Sequence, residues 1–502
     1  MRWSAVPSLL VLVAACGDDH STVTPDAAPD AELPPVLEPG CYDTPDDTFT
    51  SAAGFGPLAP GTLAGWDPNG RWSFTGIRVG GVSSVYLSQQ PDGSVLFDGD
   101  ASTPGTIDED AVFHRARLTI DTGVFFDIAI RISDLQADGS LRMQRAVCGG
   151  GQCRVCTAGM IRAERNAGEG VADGLTLLGE LRGADWEDGF TFNVRVKDSL
   201  AYVIRTDGLK IIDTSDPANP TEIGRWRRSG QGYSNDLKIV DVAQRRYVII
   251  ADSPVDIVDV TDPTSPSLAA NLQEDAHTVF TEERGGKIYA YIGDNNGRAP
   301  VYDITDPTMP MRIIRYNFGA NYLHDLMIDN GIAYLNAWDA GFVVVDFTTP
   351  ETPSIVGRWE PTPTYSSHSS WATTAGGRKV AVHGEEAYGA HLHVVDIDPA
   401  SPTFMKPIGE YKTRDHVSIH NVMAFGERAY VTYYQDGVRI FDLSTPSAPR
   451  LLGYYNTWDP QDPANSSAFF EGAVGLDVDA ARDLVFVADS PRGLLILRDD
   501  TN

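Results

Sequence analysis

The chain has 502 residues, of which 42% are hydrophobic and 22% charged, enough for more than one β-type core. Its formal net charge is −30. So acidic a surface disfavours nucleic acid and anionic lipid as partners, and it suits solubility in an extracellular setting.

Met1-Arg2 leads into a short apolar run from Ala5 to Ala14 that ends in small residues. That layout predicts a secretory signal over residues 1–15, since the run is too short to span a bilayer. Val13-Ala-Ala-Cys16 resembles a bacterial lipobox. The resemblance implies that Cys16 becomes the lipidated first residue of the mature protein, and an ordinary signal peptide with an incidental cysteine is the competing reading. Several acyl chains hold a protein firmly where one binds marginally. The expected location is the cell envelope, at the outer membrane or cell surface rather than the inner membrane. Residues 16–40 are rich in Asp, Pro and Ala and should form an extended tether, because they cannot bury a core.

Residues 41–165 alternate apolar and polar positions, as in Arg71-Trp-Ser-Phe-Thr-Gly-Ile-Arg78 and Phe125-Phe-Asp-Ile-Ala-Ile-Arg131. Gly- and Asp-rich turns separate these runs, which predicts a small all-β domain, either sandwich or barrel. With Cys16 assigned to lipid, Cys41, Cys148, Cys153 and Cys156 remain. An even number in an exported chain points to two disulfides, with three pairings open. Cys153-Arg-Val-Cys156 could instead be redox-active or half a zinc site, but zinc would want a second close pair, and only Cys148 is near.

From residue 175 to 498 one phrase recurs at a period of about 45 residues, a spacing typical of solenoids and propellers. Its copies are Asp213-Thr-Ser-Asp-Pro-Ala-Asn-Pro220, Asp259-Val-Thr-Asp-Pro-Thr-Ser-Pro266, Asp303-Ile-Thr-Asp-Pro-Thr-Met-Pro310, Asp346-Phe-Thr-Thr-Pro-Glu-Thr-Pro353, Asp396-Ile-Asp-Pro-Ala-Ser-Pro402 and Asp442-Leu-Ser-Thr-Pro-Ser-Ala-Pro449. Each lies between strand-like runs, and its prolines suit a turn. Around the fourth copy, His324 to Ile328, Ile332 to Leu335, Phe342 to Val345 and Ser354 to Trp359 read as four short antiparallel strands, which is one propeller blade. Seven such units are counted, giving an all-β chain with a seven-bladed propeller of four-stranded blades. The last unit stops after three strands. Leu175-Thr-Leu-Leu-Gly-Glu-Leu181 has the shape of the missing fourth, which predicts a ring closed by its two ends.

Leu209-Lys-Ile-Ile-Asp213, Val255-Asp-Ile-Val-Asp259 and His393-Val-Val-Asp396, each followed by the proline phrase, resemble the LVIVD-repeat proteins. The resemblance implies a bacterial, exported propeller and assigns no defined activity, because fold does not give function.

Aligning the seven inner strands at their first residue places a histidine in four consecutive blades: His277, His324, His368 and His420. The other blades place Phe192, Asn235 and Val474 there. The chain holds 10 histidines, so four on one repeat position is notable. The first residue of an inner strand lies at one mouth of the channel. The loops joining second and third strands open on the same face, and they carry Asp207, Asp252, Asp294, Asp339, Asp436 and Asp489, with Glu385 and Glu386 in blade five. Imidazole and carboxylate together suit zinc, manganese or iron, and also acid–base work. Against this, each loop Asp suits a tight turn, and the histidines suit packing between blades. Aromatics such as Trp371 near the mouth could stack on a sugar. Two readings follow. The first is a monomeric, lipid-anchored propeller that binds a protein, peptide or glycan on its His/Asp face. The second is a metal-dependent hydrolase or lyase acting at the histidine arc.

Overall fold

The computed structural model describes residues 40–45, 49–75, 84–119, 125–187, 189–227, 234–360, 366–387, 390–414, 417–465, 467–468 and 470–501. The signal expected over 1–15, with Cys16, and the tether expected over 16–40 lie outside the described residues up to residue 39, and Gly40 opens a strand. The chain divides into two units, one formed by 1–166 with 459–470 and the other by 167–458 with 471–502. Among the described residues no helix is long and apolar enough to cross a membrane.

The first unit is a barrel. Strands Gly70–Thr75, Ser84–Gln89, Ser94–Phe97, Asp100–Ile107, Val112–Thr119, Phe125–Ser133, Leu141–Gly149 and Gln152–Arg162 pair in chain order. The last returns to the first, with Trp72 opposite Arg162 and Thr75 opposite Gly159. Closure leaves no open edge between them. Trp72, Phe74, Leu87, Val112, Ile132, Met143 and Met160 fill the interior. The strand Gly40–Thr44 lies along the other half of Gln152–Arg162, which sets Cys41 opposite Cys156. The hairpin of the last two strands sets Cys148 opposite Cys153. Those two directly opposed pairs are the disulfides. Segment 459–470 groups with this unit although it lies between propeller strands in sequence. The fully buried Arg71 holds it, donating to Ser467 Oγ at 2.8 Å and to the carbonyls of Asn465 and Asp462.

The second unit is a seven-bladed propeller whose blades occupy 191–226, 236–272, 276–317, 325–359, 367–411, 422–455 and 473–499. Leu175–Leu181 pairs with the last strand, Leu181 opposite Leu494 and Leu177 opposite Leu497, and so completes blade seven. Blade six carries a fifth, two-residue strand, Ala172–Asp173, on its outer edge.

The repeat phrase has two structural uses. Its opening Asp closes a turn: Asp213, Asp259, Asp303, Asp346, Asp396 and Asp442 each accept from the backbone N–H two residues on, at 2.7–3.0 Å. Its proline then meets the neighbouring blade. A Cβ built on Gly179, Gly224 or Gly409 would lie 2.4, 1.9 or 2.1 Å from the carbonyl oxygen of Pro217, Pro263 or Pro446. Each of these glycines sits beside a bulge in the outer strand of the preceding blade. In these three blade pairs the turn of one blade thus rests on bare backbone of the one before it.

Candidate functional site

The histidine position is set by a backbone device. In blades one, three, five and seven the pairing of the inner strand skips one residue, and the skipped residues are Phe192, His277, His368 and Val474. A bulge leaves its extra residue out of the ladder and re-aims its side chain. In blades two, four and six the equivalent residue, Asn235, His324 or His420, stands just before the inner strand and is tied to the second strand by its own N–H. The four imidazoles form a continuous arc. Ring centroids are 4.2 Å apart for His277 and His324, 4.0 Å for His324 and His368, and 4.2 Å for His368 and His420.

Hydrogen bonds settle which nitrogens are occupied. Asn235 donates its amide to His277 Nδ1 at 3.0 Å. His420 Nδ1 donates to the carbonyl of Val474 at 2.7 Å. His368 Nδ1 donates to the carbonyl of His420 at 3.1 Å. A neutral ring that donates through Nδ1 keeps its lone pair on Nε2. Among the described residues, His368 Nε2 and His324 Nδ1 are buried without a hydrogen-bond partner. Burial, then the neighbouring rings, hold His324 and His368 well below the usual imidazole range. Burial likewise lowers His277 to about 4 and His420 to about 3. The arc is therefore neutral at pH 7.

Glu386 joins two of these rings. One ligand atom from each of His324, His368 and Glu386 lies within 4.8 Å of the others, and all three residues are buried. The backbone N–H of Glu386 bonds the carbonyl of Ser366 at 3.0 Å, which carries the loop toward the arc. Tyr434 donates its phenol to Glu386 Oε1. Trp338 stacks on His324 at 5.0 Å, and Tyr322 meets the rings of both His277 and His324 edge-on. His277 and His420 flank the three-residue cluster and are not part of it.

The loop acids do not form a presented acidic face. Asp207, Asp252, Asp294, Asp436 and Asp489 are buried. Asp207 pairs with Lys210 at 2.8 Å and Arg205 at 3.0 Å. Asp252 accepts from Ser234 Oγ at 2.7 Å, and Asp294 pairs with Arg298 at 2.6 Å. Asp436 binds Arg414, and Asp489 caps the backbone N–H of Arg492 at 3.1 Å. Burial raises Asp489 to about 7. Asp339 is exposed, with Asn321 3.4 Å away. Trp371 is half-buried between Phe280 and Phe425 and serves packing between blades. These side chains were expected on a binding face because their loops open there, but turn geometry and ion pairs direct the carboxylates inward.

The next residues along the inner strands carry charge, Asp236 after Asn235 and Asp325 after His324. Asp236 accepts from Lys238 at 2.6 Å, Asn193 at 2.9 Å and Thr278 at 2.9 Å. Asp325 is raised to about 6 by burial and then by Asp236. These groups tie neighbouring inner strands to one another.

A family model described as the LVIVD repeat matches residues 188–227, 244–273, 286–318 and 418–457. No curated protein matches the chain. Among solved structures, one titled "Structure of U3-55K" aligns with a TM-score of 0.49 and 9% identity, covering 67% of this chain and 100% of that one. The computationally designed Ika8 protein aligns with a TM-score of 0.43 and 10% identity, covering 78% of this chain and 94% of that one. The fold rests on the strand pairing itself.

Proposed function

For this chain, a seven-bladed propeller carrying LVIVD repeats, we propose an exported metal-binding protein whose divalent ion is held by His324, His368 and Glu386 at the channel mouth. One observation carries the reading: a ring nitrogen of each of two buried imidazoles and an oxygen of a buried carboxylate lie within 4.8 Å of one another. Metal ligation requires neutral imidazole and ionised carboxylate, and buried imidazoles this close to a buried acid form such a ligand set. Of the candidate metals zinc, manganese and iron, two imidazoles and one carboxylate suit zinc or ferrous iron best. Three protein ligands leave further coordination positions for water or substrate, the arrangement of a hydrolase or lyase rather than of a closed structural site. A bound ion would polarise a substrate oxygen or activate water. The protein's own part is to keep the rings neutral by burial and to orient His368 through the carbonyl of His420.

Binding of a protein, peptide or glycan at the same mouth is the second reading, and the half-buried aromatics Tyr322 and Trp338 favour it. It loses the acidic face that first suggested it. Export is supported by the signal-like start and by the two disulfides, which persist outside the cytoplasm. Lipidation at Cys16 is part of the proposal, and Cys16→Ser should release the protein from membranes or block its processing. Correct cleavage with full membrane retention would contradict it.

The test of the metal site is elemental analysis of untagged protein after exposure to zinc, manganese or ferrous iron. The expected result is about one ion per chain, lost in His324→Ala and in Glu386→Gln. Protein that takes up none of the three overturns the reading.

A further inference from the structure

Trp338 and Tyr434 hold the same place in blades four and six. Each is the second residue after the second strand, Ile332–Asn336 or Arg428–Thr432. Both sit in left-handed backbone, with φ of 50° and 43°. That region is rarely taken by bulky residues and persists only where the surroundings enforce it. The enforcement is visible. Trp338 exchanges two backbone hydrogen bonds with Ser367 at 3.2 Å each. Tyr434 does the same with Ala473, at 3.1 and 2.9 Å. Each pinned turn lays an aromatic ring over the histidine arc, Trp338 on His324 at 5.0 Å and Tyr434 beside His420 at 4.8 Å. Tyr434 is 2% exposed, and its phenol reaches Glu386 Oε1.

We propose that Tyr434 is a positioning residue for the metal site, its phenol occupying one oxygen of Glu386 so that the carboxylate meets the ion through a single oxygen. The inference rests on the metal-site reading above. Hydrogen bonds to a ligand fix its orientation and set its basicity, and their loss commonly lowers metal affinity 10- to 100-fold. The strained backbone gives the phenol a fixed approach, since Tyr434 has a hydrogen-bonded strand partner on one side and the arc on the other.

A neighbouring tyrosine supplies the control. Tyr433 is fully buried and its hydroxyl has no hydrogen-bond partner among the described residues. Tyr433→Phe therefore makes the same chemical change one residue away, with no ligand involved. Full-length untagged wild type, Tyr434→Phe and Tyr433→Phe would be titrated with Co²⁺, followed by its visible absorption, and then with competing Zn²⁺. Tyr434→Phe should weaken binding about 10- to 100-fold and lower the intensity of the Co²⁺ bands as Glu386 turns to two-oxygen coordination. Tyr433→Phe should change neither. Equal affinity and an equal Co²⁺ spectrum in Tyr434→Phe overturn the positioning role while leaving the metal site standing. Wild type that binds no Co²⁺ or Zn²⁺ overturns the metal site itself. Should Tyr434→Phe fail to fold, infrared difference spectra of wild type against Glu386→Gln decide the matter. The carboxylate stretching bands should move apart on metal binding, and bands that move together refute one-oxygen coordination.

Discussion

Gly224→Ala tests the coupling between the repeat phrase and the preceding blade. The added Cβ would fall 1.9 Å from the carbonyl oxygen of Pro263, where contacts below 3.0 Å are essentially never seen. Relief needs the two blades to part by about 1 Å, or the proline turn to deform, and such overpacking typically costs about 1–3 kcal/mol. Gly224 does not have the positive φ that would strain an alanine on its own, so the contact is isolated from backbone effects. Alanine also removes chain entropy from the unfolded state, worth roughly 0.4–1 kcal/mol in the opposite direction. A net loss of about 1–2 kcal/mol is expected in the propeller transition, measured by guanidinium unfolding. Gly170→Ala is the control, because a Cβ there meets nothing within 4 Å. Its effect should stay within about 0.5 kcal/mol. Ala270 and Ile314 occupy the register of Gly224 in blades two and three, so close docking on bare backbone belongs to particular blade pairs and not to the fold as such. If Gly224→Ala and Gly170→Ala are equally stable, the docking argument is wrong.

Removing the disulfide Cys41–Cys156, whose ends are 115 residues apart, should destabilise the barrel by about 5 kcal/mol through loop-closure entropy. Removing Cys148–Cys153, 5 residues apart, should cost about 2 kcal/mol from the same source. Calorimetry of the two double-alanine variants should rank them in that order and leave the propeller transition in place, and the reverse order would contradict the entropic account. For Asp489, burial lifts the folded pKa from 3.8 to about 7, so the folded state holds a proton that the unfolded state has released between those values. Its contribution to stability is present at low pH and is lost as pH rises from about 4 to 7. Asp489→Asn should therefore stabilise the propeller at pH 8 relative to pH 4, by up to about 4 kcal/mol. A difference between wild type and variant that does not change with pH would show that Asp489 titrates normally.

Much of the fold was legible because a repeat declares itself. The phrase from Asp213 to Pro220 and its copies marked the blades, and the match of Leu175–Leu181 to other outer strands identified the closing strand. The choice between barrel and sandwich was not legible, since it turns on Gln152–Arg162 reaching back to Gly70–Thr75, a long-range pairing that alternation does not encode. Cysteine pairing was open for the same reason, and strand register decides it. The histidine arc came from aligning repeats, but the bulges that aim His277 and His368 leave no mark in composition. Glu386 was read as a loop acid and not as a partner of His324 and His368, because its position is held by Thr206, Asn295 and Ser490 in blades one, three and seven and shows no repeated ligand. The inward turn of Asp207, Asp294 and Asp436 was missed because their cations come from different places, Lys210 and Arg439 three residues on, Arg298 four residues on and Arg414 from a separate segment.

One metal ion held by His324, His368 and Glu386 would be visible by its anomalous scattering. Crystals of untagged protein soaked in zinc and measured on both sides of the zinc absorption edge test it most directly. The expected result is one strong anomalous peak about 2.1 Å from a nitrogen of each imidazole and within about 2.2 Å of a Glu386 oxygen. A channel mouth without anomalous density, in crystals whose zinc peaks lie only on surface carboxylates, would contradict it.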